Sequence, residues 1–131
     1  MSDVDITGAI GTALDHINVD LLVGTGGAPE GVISAIAIKC LGGDFQAKLV
    51  PQNEEEFLNC LKIGIMDPEK VLTIDDIVKT DDCFLVATGI TDGMLLKGVH
   101  KKENGFMETH SLVITNDKQR PYKYVDSCFF P

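Results

Sequence analysis

Residues 19–31 read Val19-Asp20-Leu21-Leu22-Val23-Gly24-Thr25-Gly26-Gly27-Ala28-Pro29-Glu30-Gly31, and the reading of this stretch decides the fold. Val19 to Val23 is a short apolar run, which predicts a buried strand. Gly24 to Ala28 lacks bulky side chains, so the backbone there can turn sharply or approach a ligand closely. Pro29 suits the first turn of a helix, where its absent N–H would have had no intrahelical partner. Glu30 places a carboxylate on that turn. Val32, Ile33, Ala35, Ile36, Ala37 and Ile38 then predict a well-buried helix, and Gly42-Gly43 has the form of its C-terminus. The pattern fits a small-ligand site and also a plain strand-to-helix connection.

The chain of 131 residues is 44% apolar and 24% charged, which predicts a single globular domain over 1–131. No apolar run reaches the length of a membrane span, and the N-terminus lacks the basic-then-apolar order of a secretory signal, so a cytoplasmic location is expected. A net charge of −9 argues against nucleic acid or an anionic membrane as partner. Up to Ala47 the chain carries Asp3, Asp5, Asp15, Asp20, Glu30 and Asp44 against one base, Lys39. Carboxylates near a glycine turn suit a hard divalent cation; solvated surface acids account for most of them equally well. Cys40, Cys60, Cys83 and Cys128 show no zinc-ligand spacing, and the first three lie in apolar surroundings, which predicts small core residues.

Outward from the central stretch, Thr7 to Leu14 predicts a helix with Ile6, Ala9, Ile10, Ala13 and Leu14 on one face. Phe45, Ala47 and Leu49 alternate in a half-buried strand ending at Pro51. Asn53 and Glu56 have capping-box spacing, with Glu54 to Glu56 as a solvated helix start and Phe57, Leu58, Cys60 and Leu61 as the apolar side. Val71-Leu72 predicts a short strand, and Thr73 caps a brief helix with Asp76 at its third position. Cys83 to Ala87 predicts a central strand. A second small-residue turn, Thr88 to Gly93, follows it, then one helical turn from Met94 to Gly98. In an open α/β sheet this second turn would face the first.

Val99 to Lys102, Asn104-Gly105 and Phe106 to Thr115 predict a β-hairpin, with Tyr122 to Val125 as an edge strand. His100 and His110 lie in these strands as structural residues. The expected fold is mixed α/β, with four or five strands and four helices, a mostly parallel sheet flanked by helices and a C-terminal hairpin. Phosphate-loop, dinucleotide and nucleophile-elbow fingerprints are absent.

Gly24 to Gly31, with the helix leading to Lys39-Cys40-Leu41-Gly42-Gly43, closely resembles class II (GlpX-type) fructose-1,6-bisphosphatase. Val71 to Lys79, Ala87 to Gly93 with Leu95 to Val99, and Thr109 to Leu112 agree with further blocks of that family in order and spacing. The resemblance runs from about residue 3 to 115, fits the tail poorly, and matches the family's C-terminal half only. It implies the fold of the lithium-sensitive sugar phosphatases. It also implies cleavage of the 1-phosphate of fructose 1,6-bisphosphate, or of a related sugar bisphosphate, to give fructose 6-phosphate in gluconeogenesis. Mn²⁺ or Mg²⁺ is the implied cofactor. Glu30 is implied as a metal ligand, and Asp3, Val4, Asp5 and Gly27 as the sugar-phosphate pocket; the family has glycine where this chain has Val4. The family's other acidic ligands, its catalytic threonine and its arginine-bearing substrate loop lie upstream of anything present here.

The isolated chain is therefore expected to be inactive, with no catalytic residue of its own, and to take an N-terminal half or a second copy as partner. A non-catalytic relative that binds a sugar phosphate or a protein is the alternative.

Overall fold

A computed structural model describes residues 4–131. Asp3 lies outside the described residues, and Val4 and Asp5 are placed as backbone only, in the first turn of helix α1 (Val4–Gly11). This helix starts and ends three residues earlier than the periodicity predicts. Past Gly11 the chain tightens: Ala13 N–H donates to Ile10 O and Leu14 N–H to Gly11 O, which keeps Leu14 buried.

Helix α2 (Ala28–Leu41) follows the expected boundaries, with proline in its first turn and Gly42 closing it at φ 77°. Gly43 N–H donates to Ile38 O and Gly42 N–H to Lys39 O, the paired bonds of a glycine-stopped helix. Ser34, Ala35, Ala37 and Ile38 are buried, whereas Val32 is exposed, so one side of the helix is covered rather than nearly all of it.

Strand β1 (Gln46–Lys48) pairs antiparallel with β2 (Val71–Thr73) in a two-stranded ribbon. Between them runs α3 (Glu54–Lys62), whose Asn53 cap accepts from Glu56 N–H. The Glu56 carboxylate reaches back to Gln52 N–H, one residue beyond the capping-box target at Asn53. Phe57, Leu58 and Leu61 are exposed, so the expected apolar side of α3 is largely uncovered among the described residues. Helix α4 (Ile74–Ile77) has a complete capping box: Thr73 Oγ1 accepts from Asp76 N–H while Asp76 accepts from Thr73 N–H.

The main sheet is built on β5 (Met107–Thr115). On one side of it lie β3 (Phe84–Thr88) and the short β4 (His100–Lys101), and on the other β6 (Tyr122–Phe129). Every pairing among the described residues is antiparallel, which corrects the mostly parallel expectation. The connections explain the β4–β5 and β5–β6 pairings. The Asn104-Gly105 turn, with Gly105 at φ 83°, and the short loop 116–121 can only reverse the chain; a parallel pair needs a crossover of a dozen or more residues. The described residues hold six strands and four helices.

Two further expectations fail together. Residues 19–23 form no strand, and Leu21 and Val23 are 77% and 84% exposed. Strand β3 pairs with β5 alone and is an edge rather than a centre; its Phe84 and Val86 face outward. Continuous apolar runs belong to strands covered on both faces. Among the described residues helices cover one face of β3, so Phe84 and Val86 have nothing to bury against, while Leu21, Leu22 and Val23 lie exposed in an irregular segment. Met94 to Gly98 is likewise irregular, not helical.

The core lies between the helices and that covered face. Ile10 and Leu14 from the α1 region, Ala37 from α2, Leu95, and Leu112 and Ile114 from β5 form its buried cluster. Leu112 and Ile114 come from the hairpin face on which the sequence also places Glu108 and His110. No described helix is long and apolar enough to cross a membrane.

Candidate functional site

The glycine turn is exposed from Gly24 to Gly27 and enters α2 directly. Gly27 is the N-cap in extended conformation (φ −69°, ψ 153°), and Gly31 N–H donates to its carbonyl in the first helical bond. Glu30, half-buried, sits three residues into the cap sequence and folds back over the turn. A Cβ placed on Gly27 would overlap Glu30 Oε2, while Gly24 and Gly31 have open space around theirs. Gly27 is therefore a glycine whose missing side chain the local geometry uses. The position also suits Glu30 electrostatically, because a helix N-terminus stabilises a carboxylate.

The second turn is held differently. Gly89 is buried, its N–H donates to His110 O, and a Cβ there would overlap the Lys97 carbonyl. Asp92 Oδ1 accepts from Gly98 N–H at 2.7 Å and contacts His100 Nε2 at 2.8 Å. The Gly98 N–H, followed by His100, holds this carboxyl below its ordinary value. His110 accepts from Lys97 N–H through Nδ1 and stacks on Tyr124 at 5.1 Å. Both histidines have hydrogen-bond partners within this loop. The Asp92–His100 contact, eight residues apart across an irregular loop, has no signature in spacing.

Behind α2, Lys39 is 13% exposed and pairs with Asp75 at 2.9 Å and Asp81 at 3.2 Å. It also donates to Val78 O, tying α2 to α4 and to the entry of β3. The Asp75 hydrogen bond is the largest cause of its raised pKa. Beside it, Cys40 and Cys83 bring their sulfurs within 3.4 Å; their separation of 43 residues hides this contact in the sequence.

Glu30 suits a hard cation as a single oxygen donor. Among the described residues no group of three or more His, Cys, Asp or Glu side chains is placed to hold a metal ion. Two clefts, of about 440 and 550 Å³, are lined elsewhere, around Pro51 and around Cys40.

The family model for the bacterial, glpX-encoded fructose-1,6-bisphosphatase matches residues 1–129. The chain belongs to that family. The match extends past Thr115, correcting the expectation that the tail fits poorly. The class 2 fructose-1,6-bisphosphatase of Haemophilus influenzae is 38% identical over 98% of this chain. The class 2 fructose-1,6-bisphosphatase/sedoheptulose 1,7-bisphosphatases of Trichodesmium erythraeum and Synechococcus elongatus are 37% and 34% identical, each over 97% of it. The chain spans 40–41% of the length of these curated relatives. As a family member it is related to hydrolases, and a C-terminal part of such an enzyme fits the match.

Proposed function

We propose that this chain is the C-terminal part of a metal-dependent fructose-1,6-bisphosphatase that cleaves the 1-phosphate to give fructose 6-phosphate and phosphate, and that it is inactive alone. The observation carrying this is the family match over residues 1–129 by a chain that spans only 40–41% of its relatives. Among the described residues no group of three or more candidate metal ligands is placed together, so in this reading Glu30 needs ligands from elsewhere.

In this reading Glu30 is one ligand of a Mn²⁺ or Mg²⁺ site whose remaining ligands come from the N-terminal part. When bound, the cation polarises the phosphate and activates the attacking water. The chain's own contribution is placement. Gly27 lets backbone approach the sugar phosphate, the start of α2 directs N–H groups toward an anion, and Asp3, Val4 and Asp5 line the pocket. Glu30 would hold that cation through its carboxylate oxygens. The substrate is fructose 1,6-bisphosphate or a closely related sugar bisphosphate, and the setting is cytoplasmic.

The test is phosphate release with Mn²⁺ and fructose 1,6-bisphosphate, with and without a separately produced N-terminal part. Turnover only in the mixture, lost with Glu30→Gln, is the expected result. Turnover by the chain alone overturns the inactivity, and no turnover in a demonstrated complex overturns the enzymatic reading.

A further inference from the structure

The 3.4 Å sulfur contact between Cys40, near the end of α2, and Cys83, at the entry of β3, has no part in the hydrolytic reading. Cys40 S–H also donates to Cys83 O at 3.3 Å, so the two residues are held together by more than the thiols. Both are half-buried, and both line the cleft of about 550 Å³ together with Lys39, Asp81 and Asn116, which leaves the pair open to a small molecule. Among the described residues no second sulfur contacts Cys60 or Cys128. A disulfide would require the two sulfurs to close by about 1.4 Å from their present 3.4 Å.

We propose that Cys40 and Cys83 form a dithiol modification site that is oxidised to an intramolecular disulfide by a small disulfide such as glutathione disulfide. Cys83 loses its proton to solvent and attacks one sulfur of the oxidant, the oxidant's S–S bond breaks, and one glutathione leaves as thiolate, which takes up a proton. Cys40 then loses its proton to solvent and attacks the Cys83 sulfur, and the second glutathione leaves. Two protein thiols are oxidised by two electrons, and the oxidant is reduced to two thiols. Burial, and then the hydrogen bond to Cys83, push the Cys40 thiol up to about 12, which slows its reaction as a thiolate at neutral pH. The product staples α2 to β3 across residues that the chain separates by 43 positions.

The test incubates the full chain with glutathione disulfide, blocks remaining thiols, and maps unreduced peptides by mass spectrometry. The proposal expects a dominant Cys40–Cys83 linked peptide, two of the four thiols lost, faster closure as pH rises, and reversal by dithiothreitol. Cys128→Ser leaves the linkage unchanged, whereas Cys83→Ser abolishes it. Glutathione on Cys83 without closure, modification confined to Cys128, or indiscriminate loss of all four thiols would each overturn it.

Discussion

Glu30 folds its carboxylate into the space that Gly27 leaves by having no side chain; a Cβ on Gly27 would overlap Glu30 Oε2. The two residues assigned to metal and sugar phosphate thus share one small volume at the start of α2. Gly27→Ala must displace the carboxylate. Its backbone angles are ordinary for alanine, so the stability cost is about 1 kcal/mol or less, mostly from a poorer cap. In the reconstituted enzyme the same change should weaken Mn²⁺ binding in the direction of Glu30→Gln. A metal titration of both variants checks this, with unaltered affinity in Gly27→Ala counting against the shared site.

Thr73 and Asp76 cap each other's backbone N–H groups at α4. Thr73→Ala removes one cap acceptor and should cost about 1 kcal/mol, read as a lower urea midpoint at unchanged slope.

Gly89 and Gly98 pack backbone on backbone. A Cβ on Gly89 would overlap the Lys97 carbonyl, and one on Gly98 would lie 2.7 Å from Thr91 Cα. Neither neighbour is a side-chain end that can swing away. Either alanine variant should lose about 3 kcal/mol or more, while Gly24→Ala, with open space around it, should lose far less. Thermal melts of the three variants rank them.

How much of this was legible depends on what each residue consults. Caps and turns answer to neighbours a few residues away, so Asn53, Thr73, Asp76, Gly42 and the Asn104-Gly105 turn could be placed from the sequence. Val19 to Val23 and Cys83 to Ala87 were misread because an apolar run reports that burial is wanted without saying which surface supplies it. Glu30 was legible as an acid opening a helix; its contact with Gly27 followed from cap geometry. Cys40 with Cys83 and Asp92 with His100 meet through the tertiary fold, which periodicity cannot convey.

The acid limb of stability has a defined sign. Thr73 N–H, then the Thr73 hydroxyl, hold Asp76 below its ordinary value of 3.8, and Gly98 N–H, then His100, do the same for Asp92. The unfolded chain therefore takes up these protons first on acidification. The stability they contribute is complete above the ordinary value and is lost as pH falls through their lowered native values. Asp76→Asn and Asp92→Asn should each flatten the acid limb of a urea-midpoint profile below pH of about 4. A profile as steep as that of the unaltered chain would contradict the assignment.

The claim that this turn is part of a composite hydrolytic site is tested most directly by phosphate release on mixing the chain with the complementary N-terminal part. With Mn²⁺ and fructose 1,6-bisphosphate, neither piece should turn over alone, the mixture should, and Glu30→Gln should silence it. Glu30-dependent turnover by the 131-residue chain alone, or full activity of a mixture carrying Glu30→Gln, would contradict the account.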